Sequence, residues 1–521
     1  MKNSLFRLLL AGMLTISGHC SLLWAQVETN HSALLQFSAS RAAEMQERKA
    51  QALEYAAQRD IPVIMEADGQ YRELMYLDEF GQPQYYSTQN AISSATISTN
   101  KLYPSANLGV SIDGAGITVH EWDGGAVRTT HQELAGRVIM GDGATTTHPH
   151  STHVAGTLIA SGVVPTAKGM APAASLRAFD WNSDEAEMAS EAANQNALVS
   201  NHSYGYVRGW YYNGSTWVWY GNTSISTLED YLFGFYDSQA RNWDLIAYNA
   251  PYYLITKSAG NDRGDGPTGG TYPQDGPYDC IGHAGVAKNI LTVGAVYDIP
   301  NGYTQPNDVI MSDFSSWGPA DDGRIKPDIV ANGISLYSSL NGSDAQYGYY
   351  SGTSMASPSA AGSMILLQKH HHNLSGQYML ASTLKALVIH TADEAGTTAG
   401  PDYQYGWGLM NTYKAAQKIT EDQSNNVIEE LVLANGGSYQ RTVTTDGTQP
   451  LVVTIVWTDP AGTPVSASLD PSNPMLINDL DLRITQGTNT FYPWKLNASN
   501  PTAAATNASE NNVDNVEHVY I

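Results

Sequence analysis

Short apolar runs alternate with helical patterns along the middle of the chain, from residue 96 to about residue 420. Three apolar runs predict buried β-strands, at residues 117–120, 254–256 and 290–293. Three longer stretches predict helices, at residues 153–161, 354–370 and 382–391. Alternation of this kind is typical of the α/β class, so we expect a doubly wound, mostly parallel sheet with helices on both faces.

The region before this unit, residues 26–95, has a different pattern. Good helix formers (Ala, Glu, Gln, Leu and Met) predict a helix over residues 32–59. Two strand-like runs follow, at residues 73–77 and 84–87. The region is either an accessory N-terminal domain or a pro-region that is removed, and the second interpretation depends on what the rest of the chain does.

The last region, residues 427–521, has an all-β pattern. Apolar runs predict strands at residues 451–457 and 480–484. The chain stops within a third strand-like run, at residues 519–521. We therefore expect a small antiparallel β-sandwich that is incomplete here.

The first 25 residues have the pattern of an export signal. Lys2 and Arg7 form a basic start, residues 8–16 are apolar, and Ala25 offers a small residue for cleavage. The apolar run is too short to span a bilayer, so we expect no membrane insertion after the signal is removed. The protein is then secreted or placed at the cell surface. Cys20 leaves a lipoprotein open as the alternative.

Composition narrows the function classes. The 521 residues carry 26 basic and 50 acidic side chains, a net charge of −24 that disfavours nucleic-acid binding and suits binding of cations. The length predicts about three folded units. After cleavage at Ala25, Cys280 is the one remaining cysteine, so the mature chain has no internal disulfide. We expect its stability to come from the core and from metal ions.

The stretch 204–220 is unusually rich in Tyr and Trp. It is open to two interpretations: a hairpin whose aromatic faces pack together, which we favour, or a ligand site. His202, just before this stretch, is predicted to line a cleft wall without a catalytic role.

Three segments place a reactive side chain beside glycine or other small residues. They hold an aspartate after a strand, a histidine entering a helix, and a serine opening an apolar helix: Val119-His120-Glu121-Trp122-Asp123-Gly124-Gly125, His150-Ser151-Thr152-His153-Val154-Ala155-Gly156-Thr157 and Ser351-Gly352-Thr353-Ser354-Met355-Ala356-Ser357-Pro358. A serine hydroxyl is a weak nucleophile, which needs a base within hydrogen-bond reach and a carboxylate to orient that base. Residues at the tips of parallel strands can converge although they are far apart in sequence.

Each segment alone also has a simpler interpretation. An Asp-Gly-Gly sequence is usually a turn. His148, His150 and His153 could be zinc ligands, but no His-Glu-x-x-His pattern accompanies them. The run Gly-Thr-Ser-Met-Ala-Ser-Pro is far rarer by chance, and with the order Asp, His, Ser it favours nucleophilic catalysis.

On these motifs, residues 100–420 resemble the subtilisin-like serine proteases. The resemblance implies that Asp123 is the carboxylate, His150 the base and Ser354 the nucleophile. It further implies Asn261 as an oxyanion-hole donor, and two segments that bind the substrate backbone: Ser203-Tyr204-Gly205 and Ser258-Ala259-Gly260. Residues 427–521 are similar to the β-sandwich that follows some large secreted members.

Two positions depart from the family pattern. The family commonly has Ser or Thr after the catalytic aspartate, where this chain has Gly124. It commonly has Gly after the base, where this chain has Ser151. The first change removes a hydroxyl near the carboxylate, and the second adds a side chain near the cleft.

The prediction is thus a secreted serine endopeptidase, made as a zymogen, that acts on protein or peptide substrates and needs no cofactor for its chemistry. Calcium is expected as a structural ion, with four candidate ligands: Asp479, Asp481, Asp514 and Glu517. Two other functions stay open: a catalytically inactive subtilisin fold that binds peptides, and a metallohydrolase that uses the three histidines. The sequence indicates no oligomeric state.

Overall fold

A computed structural model of the protein describes residues 27–59, 61–67, 70–78, 80–87, 94–267, 273 and 275–521. The predicted export signal, residues 1–25, lies outside them. None of the helices formed by the described residues combines the length and the apolar composition needed to cross a membrane.

The described residues form seven α-helices: α1 (His31–Arg59), α2 (Pro149–Ile159), α3 (Asp184–Asn194), α4 (Ser238–Asn249), α5 (Thr353–Ser375), α6 (Ala381–His390) and α7 (Thr412–Asn425). Shorter 3₁₀ helices lie at Thr99–Leu102, Pro104–Ala106, Pro165–Ala167, Trp181–Ser183, His283–Val286 and Pro306–Asp308. The helix predicted from residue 153 begins earlier, at Pro149. Proline is tolerated in the first helical turn, and the ring nitrogen Nδ1 of His148 caps this turn by accepting from the N–H of His150 at 3.3 Å.

The strands of the N-terminal and central regions are β1 (Ile64–Ala67), β2 (Gln70–Leu77), β3 (Pro83–Ser87), β4 (Thr118–Asp123), β5 (Val138–Met140), β6 (Ser175–Asp180), β7 (Val199–His202), β8 (Gly205–Tyr206), β9 (Trp210–Tyr212), β10 (Trp217–Trp219), β11 (Leu254–Ser258), β12 (Leu291–Val296), β13 (Ile329–Asn332), β14 (Leu336–Ser339) and β15 (Tyr347–Tyr350). The C-terminal strands are β16 (Val452–Val456), β17 (Ile484–Gln486), β18 (Asn489–Phe491) and β19 (Val516–Tyr520).

Seven strands form the central sheet, in the order β13-β12-β11-β7-β4-β6-β5, and all their pairings are parallel. Successive residues of β4 point to opposite faces, so Val119 packs in the core beneath α2 and α5 while Trp122 packs in the core beneath α3 and α4. The predicted parallel sheet with helices on both faces is confirmed.

The Tyr- and Trp-rich stretch forms the predicted hairpin, in which β9 pairs antiparallel with β10. Its aromatic rings pack across the pair, with the centroids of Trp210 and Trp219 5.1 Å apart. His202, by contrast, is fully buried, and its ring bonds to the hydroxyls of Ser200 and Tyr204. The prediction that it lines a cleft wall was wrong, because both ring nitrogens find partners inside the core.

The C-terminal region contains antiparallel pairs, as predicted: β16 with β19 and β17 with β18. The strand predicted at 480–484 begins only at Ile484, because the N–H of Leu482 bonds to the Glu517 carboxylate instead of to a neighbouring strand. A buried ion pair joins this region to the central one. The Lys288 ammonium donates to the Asp459 carboxylate and to the carbonyl of Met475 at 2.7 Å.

Candidate active site

Asp123 is the last residue of β4. In the sheet, β5 and β6 lie on one side of β4, and the later strands β7, β11, β12 and β13 lie on the other. Such a switch point, at the carboxyl end of the strands, is where open α/β sheets bind ligands. The side chain is fully buried. Its Oδ1 accepts from the N–H of Gly124 at 2.7 Å and lies 2.5 Å from Nδ1 of His150.

His150 lies in the first turn of α2, which projects its ring over the end of β4. A carboxylate can only accept, so the 2.5 Å contact places the proton on Nδ1 of the histidine. In that tautomer the other nitrogen, Nε2, has a lone pair. This is the arrangement that a general base requires.

Ser354 is the second residue of α5 and exchanges two hydrogen bonds with Ser203. The Ser354 hydroxyl donates to the carbonyl of Ser203 at 2.8 Å, and the Ser203 hydroxyl donates to the carbonyl of Ser354 at 2.7 Å. The second bond has a physical reason in the sequence. Pro358 has no N–H, so the Ser354 carbonyl lacks the helical donor four residues later, and the Ser203 hydroxyl bonds to it instead.

Asn261 follows β11 and contacts the residue just before Ser354. Its amide oxygen accepts from the N–H of Thr353 at 2.8 Å and from the Thr353 hydroxyl at 3.0 Å. The Thr353 hydroxyl in turn accepts from the N–H of Gly260 at 3.2 Å. Because the oxygen of Asn261 is fixed on Thr353, its NH₂ group is directed away from that residue and is available as a donor.

A small pocket, about 80 Å³ in volume, adjoins these residues. Ser354 and Asn261 line it together with five of the six predicted substrate-binding residues: Tyr204, Gly205, Ser258, Ala259 and Gly260. Ser203 is the exception, since it is buried and acts on the backbone of Ser354. Gly260 has a φ of +108°, a backbone conformation that favours glycine, and a side chain there would also approach Asp262 and Ser316 to 2.7 and 2.9 Å.

The sequence profile of the subtilase family matches residues 123–408, which include all of these positions. The chain belongs to the subtilase family. Subtilisin E of Bacillus subtilis (strain 168) is 28% identical over 268 residues, which are 51% of this chain and 56% of that protein. Subtilisin of Bacillus pumilus has the same identity over 268 residues and 77% of its length.

A longer match reaches beyond the family profile. The tagD protein of Dictyostelium discoideum, a serine protease/ABC transporter B family protein, is 22% identical over 515 residues, 71% of this chain and 27% of its own length. The chain thus spans little more than half of Subtilisin E and about a quarter of tagD. The resemblance to subtilisin-like proteases is confirmed at the level of the family.

The two departures from the subtilase pattern compensate each other. A side chain at Gly124 would lie 2.9 Å from the ring of Trp181, so no hydroxyl fits there. The hydroxyl of Ser151 instead reaches Oδ1 of Asp123 at 3.3 Å. This subtilase therefore still offers a hydroxyl to its carboxylate, from the helix rather than from the strand.

Two charged residues, Lys257 and Asp262, also line the pocket of this subtilase, and sequence reasoning missed them. The visible signal was Lys257, a charged residue within a strand that is buried throughout. Its ammonium donates to the carbonyl and hydroxyl of Ser258 at 2.9 and 3.0 Å. Burial lowers the pKa of Lys257 to about 7, and burial raises the pKa of Asp262 to about 6.

Glu121 lies two residues before Asp123 on the same face of β4. Burial, and secondly the charge of Asp123, raise the pKa of Glu121 well above its usual range. Its neutral form is therefore more favoured than that of an ordinary glutamate, which limits the negative charge beside Asp123.

The three histidines of the metallohydrolase alternative do not share a site. His150 bonds to Asp123, whereas Nε2 of His153 lies 3.2 Å from the carbonyl of Leu336. Among the described residues, these histidines do not form a group of three convergent metal ligands. The geometry favours the serine mechanism.

The four predicted calcium ligands are not gathered by the structure into one convergent group either, as far as the described residues go. Asp479 accepts from Asn512, Asp481 pairs with Arg483, and Asp514 accepts from Asn511 and from the N–H of Ile325. Glu517 bonds to the N–H of Leu482. Calcium at these residues stays a prediction.

Proposed function

We propose that this subtilase is a serine endopeptidase that is exported and made as a zymogen. The observation that carries the proposal is the bond between Asp123 and His150, together with Ser354 and Asn261 on the wall of one pocket. The basic and apolar pattern of residues 1–25 supports export.

In this mechanism Ser354 attacks the carbonyl carbon of a peptide bond while Nε2 of His150 takes the hydroxyl proton. Asp123 stabilises the imidazolium that results, through the bond to Nδ1. His150 then protonates the leaving amine, which departs. Water repeats the sequence on the acyl-enzyme and releases the acid.

The oxyanion of the tetrahedral intermediate needs donors that are already in place. The NH₂ group of Asn261 is one. The N–H of Ser354 is the other, since the first N–H groups of a helix have no intrahelical partner and the helix dipole there favours negative charge. Because Thr353 holds the amide oxygen of Asn261, the donor does not have to reorient during the reaction.

Labelling with a fluorophosphonate tests the proposal, because this reagent reacts only with an activated serine. The purified mature protein should be labelled at Ser354, and the Ser354→Ala variant should not be labelled. Ser343→Ala, which changes an exposed loop serine, is the matched control and should be labelled like the wild type. An unlabelled wild type would favour the inactive, peptide-binding alternative.

The contacts of the N-terminal unit support its role as a pro-region. Strand β3 pairs antiparallel with β8, with Ser87 opposite Gly205. Gly205 belongs to the segment on which an extended substrate would pair, so the pairing occupies that edge. In addition, the side-chain oxygen of Gln84 accepts from Arg208, a pocket residue, at 2.5 Å.

A buried ion pair also holds this unit on the catalytic domain. Nε of Arg41 lies 2.6 Å from Oε2 of Glu185 on α3, and Asn242 on α4 donates to the same oxygen at 2.9 Å. The N-terminal unit must leave before a substrate strand can add to β8. We infer that the enzyme itself removes it.

Self-removal predicts that the Ser354→Ala protein keeps its N-terminal unit. Expressed in a host without extracellular proteases, this variant should accumulate as a precursor, while the wild type and Ser343→Ala should yield the mature chain. Intact mass and N-terminal sequencing measure the difference. If Ser354→Ala acquires the same mature N-terminus in that host, another protease does the processing.

A further inference from the structure

Four carboxylates, none of them among the calcium candidates above, converge at another place in the fold. They come from four segments: Glu229 after β10, Asp279 just before the buried Cys280, Asp321 before β13, and Asp470 in the C-terminal region. One carboxylate oxygen from each of Glu229, Asp279 and Asp470 lies within 4.8 Å of the others.

Asp321 completes the group. A methyl placed on Gly234 would lie 2.0 Å from Oδ1 of Asp321 and 2.3 Å from Oδ1 of Asp279. The two oxygens therefore lie close to each other, beside Gly234. Gly234 has a φ of +68°, a backbone conformation that favours glycine, and the turn lets the two oxygens approach. Backbone bonds fix their positions: the N–H of Asp321 donates to Gly234 and that of Asp279 to Gly318.

The buried oxygens lack the hydrogen bonds that buried carboxylates normally have. Oδ1 of Asp279 and both oxygens of Asp321 are shielded from solvent and have no hydrogen-bond partner among the described residues. The charged groups that act on Asp279 and Glu229 are all acidic. Burying such oxygens without a counter-charge is costly, so the site requires either protons or a cation.

If protons alone neutralised these carboxylates, their pKa values would have to lie far above the usual range. Burial, and then repulsion by neighbouring carboxylates, raise the pKa of Glu229 to about 7 and that of Asp321 to about 10. A bound cation would hold all four groups ionised instead, because a nearby positive charge favours the charged form.

We propose that Glu229, Asp279, Asp321 and Asp470 bind a calcium ion. The donor set is all oxygen and anionic, which suits a hard cation and not zinc, whose sites use His and Cys. Calcium accepts six to eight oxygens at flexible geometry, so four carboxylates on separate loops can serve, each with one or two oxygens. Magnesium demands a stricter octahedron and keeps more of its water.

The ion would connect two parts of the protein. Asp470 belongs to the C-terminal region, whereas the other three ligands belong to loops of the catalytic domain. Asp279 lies three residues before Gly282, and Gly282 and His283 line the pocket. Calcium would therefore stabilise the junction with the C-terminal region. It would also stabilise the loop from Asp279 to Gly282, which leads into the pocket wall.

Thermal unfolding of the full-length protein in the Ser354→Ala background tests the site without self-digestion. Because an ion that binds only the folded state stabilises it by mass action, millimolar calcium should raise Tm by several degrees over a chelated sample containing magnesium. Asp470 is exposed, so Asp470→Asn should fold normally and lower the calcium affinity at least tenfold in a titration. Asp298→Asn, which changes an exposed aspartate that belongs to neither set of calcium candidates, is the matched control and should keep the wild-type affinity.

A second variant separates ion binding from a general loss of structure. Asp279→Asn with Asp321→Asn removes buried charge, so in chelator this double variant should melt at or above the wild type, and calcium should no longer shift it. The proposal is overturned if that variant keeps the full calcium shift, if Asp479→Asn instead abolishes it, or if magnesium stabilises the wild type equally.

Discussion

Replacing Ser354 or His150 by alanine is expected to lower kcat on a peptide substrate by about 10⁶-fold, and replacing Asp123 by about 10⁴-fold. These sizes are known for subtilisin, a relative of this chain, and are not obtained from its geometry. The smaller loss expected for Asp123 follows from the roles of the three residues. Ser354 and His150 take part in bond making and proton transfer, whereas Asp123 orients the base and stabilises its charge.

The double variants should lose little beyond the single ones, because a base without its nucleophile has nothing to activate. Initial rates on a chromogenic peptide, with urea unfolding as the control for an intact fold, measure this. Ser343→Ala should keep normal kcat. Substantial hydrolysis by Ser354→Ala would show that another group is the nucleophile. Full additivity of Ser354→Ala with His150→Ala would show that the two residues do not act as a unit.

The fold could be predicted from the sequence because its main signals are local. A buried parallel strand is a short apolar run: 254–256 falls within β11, and 290–293 overlaps β12, which begins at Leu291. Element ends were less predictable. Helix α2 starts at Pro149 and has His148 as its cap. Within 480–483, the N–H of Leu482 bonds to the Glu517 carboxylate, so the predicted strand begins later.

The catalytic motifs were visible for the same reason: each is a contiguous run with rare composition. The interactions around them were not. The bond from Ser203 to Ser354 depends on Pro358, which lies 155 residues further along the chain than Ser203. Likewise, nothing in the sequence near Gly124 indicates that Ser151 supplies a hydroxyl to Asp123.

The cluster of four carboxylates shows most clearly what could not be predicted from the sequence. Glu229 and Asp470 are separated by 241 positions, and each is an ordinary acidic residue in its own segment. The sequence-based candidates, Asp479, Asp481, Asp514 and Glu517, were named because their carboxylates could supply oxygen ligands. Calcium ligands on separate loops converge only through the tertiary fold, so this group could not be recognised from spacing.

Removing the side-chain donor of Asn261 is expected to lower kcat by about 10²–10³-fold while KM changes little. The figure comes from subtilisin, the family of this chain, and the structure supplies the reason that it should apply here. Thr353 fixes the amide oxygen of Asn261 through two bonds, at 2.8 and 3.0 Å, so the NH₂ group keeps its direction before substrate arrives. A donor aimed at the oxyanion lowers the barrier more than it aids binding.

Two substitutions separate this role from that of a residue that merely shapes the turn after β11. Asn261→Ala removes the donor together with the acceptor for Thr353. Asn261→Asp keeps an oxygen that Thr353 can bond to, and so preserves the turn, but it replaces the donor by a negative charge facing the oxyanion. Both variants should therefore lose kcat, and Asn261→Asp should do so with a wild-type Tm. If Asn261→Asp restores kcat to near the wild-type value, the residue acts only through the turn, because an acceptor alone would then suffice.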